Sequence, residues 1–199
     1  MVQRIFSMGV LDTVLADLLI MGPGVSSVQT YTSISIGSPP EERPHQMKEI
    51  RFFGKRYASY RFLSNFYGCT LLMGGKVYAS VEHYYQAKKT LDETEHEMVR
   101  LAASPGEAKR LGGKPEDGGK ITIRPDWEDM KEVVMKEALR EKFSDSALRE
   151  KLLDTGDAIL IESSPSDYYW GEGATHTGKN RLGVLLMEVR QEIRDRNQR

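Results

Sequence analysis

Glu82, Tyr85, Gln86 and Lys89 lie within one nine-residue stretch, Val81–Lys89, which reads V-E-H-Y-Y-Q-A-K-K. At about 100° per residue of an α-helix these four share a stripe, while Val81, Tyr84, Ala87 and Leu91 fall around the other side. A carboxylate, a phenol, an amide and an ammonium therefore face one way. Alone, such a stripe reads as a solvated helix face. A second segment changes that reading. Ser163–Gly183, S-S-P-S-D-Y-Y-W-G-E-G-A-T-H-T-G-K-N-R-L-G, sets three aromatics, two acids and His176 in a glycine-rich loop ahead of a helix. Glycines let backbone amides approach a ligand, and a helix N-terminus favours an anion. The run Tyr168-Tyr169-Trp170 must pack, or stack on something flat. A plainer reading of the same loop is an Ω-type loop filled by its own aromatics.

The elements that must position these residues follow from local signals. Ser80 is a good N-cap for the Val81–Lys89 helix, and Gly74-Gly75 turns Cys69–Met73 into Lys76–Tyr78 as a hairpin. A short strand is expected over Glu49–Phe53. Helical patterning continues over Asp92–Ala103, and Ser104-Pro105-Gly106-Glu107 combines an N-cap, a proline at the first helical position and a capping-box glutamate. That helix stops at Gly112-Gly113. A long helix then runs from Trp127 to near Phe143, with Trp127, Met130, Val134 and Ala138 as its core stripe and Val133 and Leu139 beside it. Ser144 or Asp145 caps a short helix carrying Leu148, Leu152 and Leu153. Ala158–Ile161 reads as a strand, and Asn180 is placed to cap a last helix with Leu182, Leu185, Leu186, Val189 and Ile193 inward. The sum is an α+β fold: one mainly helical domain with a small antiparallel sheet.

Composition narrows the function classes. The 199 residues suffice for one domain with a real core plus an appendage, and a formal net charge of −1 gives no strong field toward nucleic acid or acidic lipid. Cys69 is the single cysteine, so an internal disulfide is excluded, which fits a reducing cytoplasm. The four histidines show no paired metal-ligand spacing, and neither a metal nor a cofactor is expected. Gly171-Glu172-Gly173 is no dinucleotide fingerprint, and the chain has no Walker loop, nucleophile elbow or His-Glu-x-x-His motif. Residues 1–46 stand apart: a helical stripe from Val10 to Leu19, interrupted by Asp12 and Asp17, is too short and too charged for a membrane span. The Gly-, Pro- and Ser-rich stretch Gly22–Pro44 follows as a linker. The compact domain is expected over residues 47–199.

Phe53-Gly54, Phe62-Leu63-Ser64-Asn65-Phe66, Glu82-His83-Tyr84-Tyr85-Gln86-Ala87-x-Lys89, Arg124-x-x-Trp127, Tyr169-Trp170-Gly171 and Gly178-Lys179-Asn180-Arg181-Leu182-Gly183 occur in this order. Together they resemble the YbiA-like family, also called NADAR, over about residues 49–193. The chain departs from that pattern where Ala174-Thr175-His176-Thr177 replaces a more glycine-rich stretch, and at Glu172, where some members carry Asp. These departures bear on substrate choice more than on chemistry.

The resemblance implies hydrolysis of an N-glycosidic bond to ribose. The substrate would be a ribosylamino-pyrimidine 5-phosphate of the riboflavin pathway or, alternatively, ADP-ribosylated guanine in a short single strand of nucleic acid. A non-catalytic ADP-ribose or nucleotide binder is the reading from a different class. Breaking such a bond builds positive charge on the sugar. Glu82, in the first turn of its helix, is expected to be ionised by the macrodipole and to stabilise that charge or activate water. Lys89 either binds phosphate or attacks ring-opened ribose as an amine. Asp167 serves the ribose hydroxyls or protonates the leaving group, and completes the expected catalytic set. Trp170 and Phe66 are placed for stacking, Asn65, Gln86 and Asn180 for polar edges, and Arg124, Lys179 and Arg181 for phosphate. Phe53, Gly54 and Gly171 are carried over as substrate-binding positions. Asn180 and Arg124 also have plain structural readings, as a cap and as the partner of a nearby carboxylate.

Overall fold

The computed structural model describes residues 48–54 and 56–198. The expected helix at 10–19, the linker at 22–44 and the domain start at Met47 lie outside the described residues. Six α-helices and four short strands are described: β1 (Glu49–Phe52), β2 (Leu71–Met73), β3 (Lys76–Tyr78), α1 (Val81–Ala87), α2 (Glu93–Arg100), α3 (Pro105–Leu111), α4 (Trp127–Lys142), α5 (Ser146–Leu153), β4 (Ile159–Glu162) and α6 (Arg181–Asn197).

The antiparallel hairpin forms as read, with Leu71 opposite Tyr78 and Met73 opposite Lys76. Its turn has positive φ at both Gly74 and Gly75, the geometry that matches the strands' own twist. A second pair accompanies it. β1 runs parallel to β4, Ile50 opposite Leu160 and Phe52 opposite Glu162. Parallel pairing needs a crossover, and here α1 to α5 all lie within it. The pair therefore brings the first described strand beside the segment that leads into the Ser163–Gly183 loop.

α1 is buried on every side. Ser80 caps it by accepting from the His83 amide at 3.3 Å, and the same hydroxyl lies 2.7 Å from His83 Nδ1. The Ala102 carbonyl, 3.1 Å from His83 Nε2, can only accept. Nε2 therefore carries the ring proton, and the histidine ties the start of α1 to the end of α2. Asp92, Ser104 and Asp145 cap α2, α3 and α5 through their side chains. In α4, Trp127, Val134, Ala138 and Leu139 are buried as expected and Met135 joins them, but Val133 turns outward.

The end of the chain departs from its expected cap. Asn180 takes a left-handed backbone with φ 48° and its side chain caps nothing. Instead Oδ1 accepts from the Glu162 amide at 2.9 Å and Nδ2 donates to the Leu160 carbonyl at 2.8 Å. The asparagine completes the free edge of β4, and α6 packs over that strand. Gly183 makes the approach feasible: a Cβ there would lie 2.1 Å from the Leu160 carbonyl oxygen and 2.5 Å from Asn180 Nδ2. Backbone cannot swing aside as a flexible side chain can. Gly183→Ala is therefore expected to lower unfolding free energy by about 2–3 kcal/mol, read from urea denaturation, whereas an unchanged midpoint would mean that α6 does not sit this close to β4.

Candidate active site

A cavity of about 580 Å³ opens between α1, α3, α4 and the loops after β1 and β4. That volume is in the range of small-ligand sites. Of the residues expected in the site, Phe53, Gly54, Asn65, Phe66, Glu82, Gln86, Lys89, Asp167 and Trp170 all line it. They come from four separate stretches of chain, so the stripe on α1 is one cavity wall and not a solvated face.

α1 ends at Ala87, so Lys89 lies just past its C-cap and not on the helix. Its Nζ donates to the Gly112 carbonyl at 2.9 Å and lies 5.5 Å from the Tyr85 ring centre. Gly112 permits this closeness, since a Cβ there would fall 2.3 Å from Gln86 Oε1. Burial lowers the Lys89 ammonium from its ordinary range, Glu82 opposing the shift and Lys109 adding to it.

Glu82 is buried, and Gln86 Nε2 donates to its Oε1 at 2.8 Å. The expectation that the macrodipole keeps it readily ionised is overturned. Desolvation raises its pKa, and the Gln86 hydrogen bond and the charges of Lys109 and Lys89 do not cancel that loss of water. Asn65 is held from two directions. Its carbonyl accepts from the Glu82 amide at 3.1 Å, and the preceding Ser64 carbonyl accepts from Lys142 Nζ at 2.8 Å. Lys142 is itself wholly buried, and desolvation pushes it down to about 8. Asn65 Oδ1 and Gln86 Oε1 are buried acceptors with no partner among the described residues.

Across the cavity, Asp167 Oδ1 accepts from the backbone amides of Tyr169 at 2.9 Å and Trp170 at 2.7 Å, which leaves Oδ2 free of this turn. Trp170 stands edge-on to Tyr85 at 5.6 Å and to Tyr169 at 5.1 Å, so the aromatic run is largely packed, with only Tyr168 well exposed.

Five expected binding residues lie elsewhere. Arg124 is engaged by Asp126 through two bonds of 2.5 and 2.7 Å. Arg181 makes two 2.7 Å bonds to Glu132, which also accepts from Tyr169 Oη. The exposed Lys179 lies 5.2 Å from the centre of the Tyr169 ring. Asn180 is spent on β4, and Gly171 packs its backbone against Glu162 and Asp167 carbonyls. None lines the cavity. A sequence shows a cation but not the carboxylate that will meet it.

Other polar residues line it as well: Ser64, Lys109 on α3, Glu162 at the end of β4, and Ser164 and Ser166. Glu162 is buried, and no described residue donates a hydrogen bond to its side chain. Its carboxyl is pushed up to about 8, first by burial and then by Asp167, with Glu82 adding and Lys109 opposing. Nothing local distinguished it from an ordinary strand end. The alternation of β4 was the available signal, since it puts Glu162 on the same side as core residue Leu160.

The cavity combines desolvated acids, a desolvated amine and aromatic walls, the inventory of an enzyme that moves protons at a polar bond. Comparison with known proteins agrees. The NADAR domain pattern matches residues 51–194. The N-glycosidase YbiA of Escherichia coli (strain K12) is 45% identical over 138 residues, covering 67% of this chain and 82% of the relative. The NMR structure of the E. coli protein YbiA aligns with a TM-score of 0.67 at 38% identity, covering 79% of this chain and 92% of that one. A riboflavin biosynthesis protein of Vibrio vulnificus (strain YJ016) is 37% identical over 154 residues, 77% of this chain and 41% of the longer relative. The chain belongs to the NADAR family and, with it, to the N-glycosidases.

The Glu162 shift has a consequence for stability. An unperturbed glutamate titrates near 4.5, so between that pH and about 8 the folded chain holds a proton that the unfolded chain has lost. Stability contributed by this group therefore falls as pH rises through that window. Glu162→Gln is expected to gain on the order of 4 kcal/mol over wild type at pH 8 and about 1 kcal/mol at pH 5, by urea denaturation. Equal differences at the two pH values would show that Glu162 titrates normally.

Proposed function

We propose that this chain hydrolyses the N-glycosidic bond of a ribosylamino-pyrimidine 5-phosphate, releasing ribose 5-phosphate and the aminopyrimidine. The observation that carries the reading is the placement of a desolvated Lys89 amine beside a buried Glu82 at the wall of one cavity. The resemblance to a riboflavin biosynthesis protein supports the pyrimidine, and the cavity volume suits a nucleotide-sized ligand.

A phosphate-binding lysine works as a charged, solvated point, whereas burial favours the neutral amine, which is a nucleophile. Lys89 in that form adds to C1 of the ring-opened ribosylamine. The pyrimidine amine leaves, an imine links Lys89 to the sugar, and water then releases the sugar and restores the lysine. Glu82, its basicity increased by burial, takes the proton from the attacking water. Trp170 and Phe66 offer faces to the pyrimidine. Asn65 Oδ1 and Gln86 Oε1 accept from its amino groups or from the ribose hydroxyls.

Incubation with the ribosylamino-pyrimidine 5-phosphate and borohydride is expected to yield ribose 5-phosphate and a reduced sugar adduct mapping to Lys89. Lys89→Arg should form no adduct and lose about 10³-fold or more in kcat, and Glu82→Gln should lose about 10²–10⁴-fold while still binding product. Full turnover by Lys89→Arg would remove the amine from the mechanism. Release of ADP-ribose from a modified guanine strand, with silence on the pyrimidine, would replace the substrate.

A further inference from the structure

Three carboxyl groups, Glu82, Glu162 and Asp167, line the same cavity from α1, from the end of β4 and from the loop beyond it. Cleaving a ribosyl–nitrogen bond divides two tasks among acids. One must accept a proton from the attacking group, and another must give one to the departing nitrogen, because an amide-like anion is too basic to leave unaided. Hydrogen bonding separates the three. Glu82 accepts from Gln86, and Asp167 accepts two backbone amides on one oxygen. Both are built as acceptors. Glu162 receives no side-chain hydrogen bond from the described residues, lies buried at the cavity wall, and has its backbone fixed on both sides. Asn180 Oδ1 accepts its N–H at 2.9 Å, and its carbonyl accepts from the Glu172 amide at 2.9 Å. A buried carboxyl on a fixed backbone, without donors to it, is one that keeps its own proton and offers it.

We propose that Glu162 is the acid that protonates the departing nitrogen. As the C1–N bond breaks, its electron pair stays on nitrogen and the Glu162 proton goes to the same atom, leaving the free amine and a Glu162 carboxylate. The new bond at C1 comes from Lys89 or water; the proton that Glu82 takes from the attacking water is released from Glu82 and an equivalent proton from solvent returns Glu162 to its acid form, so the cycle closes with one water consumed. The assignment rests on the N-glycosidase reading but not on the pyrimidine, since every N-ribosyl substrate needs that proton.

The charged groups that bear on Glu162 are Asp167 from its own loop, Lys109 from α3 and Glu82 from α1. Arg51 of the adjacent strand β1 is taken up by Glu172 and Glu49, so it does not neutralise this acid. Burial first, and then two carboxylates against one lysine, keep the proton on Glu162 up to about pH 8, where a catalytic acid of this kind stops working.

The test compares wild type, Glu162→Gln and Glu162→Asp on two leaving groups: the N-ribosyl substrate that wild type turns over, and the N-(4-nitrophenyl)ribosylamine 5-phosphate, which can open to the same C1 imine but whose weakly basic nitroaniline nitrogen departs with far less proton assistance. Glu162→Gln is expected to lose at least 30-fold more kcat/KM on the first than on the nitrophenyl substrate, and to lose the alkaline limb of the pH profile. Glu162→Asp should recover part of the rate and keep that limb. Equal losses on both substrates, or an alkaline limb unchanged in Glu162→Gln, would overturn the role. Melting curves confirm that each variant is folded. Wild type silent on the pyrimidine but active on the guanine adduct would end the substrate assignment alone, and the comparison would then be read on the guanine adduct.

Discussion

The structure depends on burying a short polar helix. α1 carries Glu82, His83 and Gln86 among its seven residues, and all seven are buried. Withdrawing such groups from water costs several kcal/mol unless each finds a partner. The fold supplies those partners one by one. His83 is taken by Ser80 and Ala102, Tyr84 by Glu137, and Glu82 by Gln86, while Lys89 beyond the helix end reaches Gly112. What remains unmatched faces the cavity. The residue of that polar burial is the reactivity of the site.

The surrounding elements serve to hold the two walls of the cavity in register. One wall follows from α1 and the Ser64–Phe66 segment, pinned by the buried Lys142. The other follows from β4, whose last residues are fastened by Asn180 and whose outgoing loop is braced by the Arg51–Glu172 ion pair. Glu172 is held down at about 2: desolvation works against that, but Arg51, His176 and Ser163 outweigh it. Two acids ten residues apart in sequence, Glu162 and Glu172, thus sit at opposite ends of the carboxylate range: burial opposes ionisation at both, but Glu172 has hydrogen-bonding cationic partners and Glu162 has not.

Much of this was legible before any coordinates. The hairpin, the caps of α1, α3 and α5 and the apolar face of α6 are short-range features, and a few neighbouring residues determine each. The polar stripe on α1 and the aromatic loop pointed to the right cavity, and nine of the expected residues meet there. Most of the failures share one cause. Arg181 was read as a phosphate ligand, yet Glu132, 49 residues away in sequence, occupies it, whereas Arg124 is held by Asp126 two residues on, the plain reading it also had. Asn180 looked like a cap and proved to be a strand clamp. Glu82 was assigned from the helix dipole, a local effect, and burial from distant elements reversed the direction. Glu162 had no local signal beyond strand alternation. Long-range pairing and solvent exclusion are properties of the assembled fold.

The account rests on one claim, that exclusion of water from this cavity moves an acid into the neutral range. Titration of the glutamate side-chain carboxyl carbons by NMR, in wild type and in Glu162→Gln, measures it without reference to any substrate. The account predicts one carbon in wild type that titrates near pH 8 and is missing from the variant. If every glutamate carbon instead titrates between about 3.5 and 5, the cavity is wet, and the chemistry assigned to its walls falls with it.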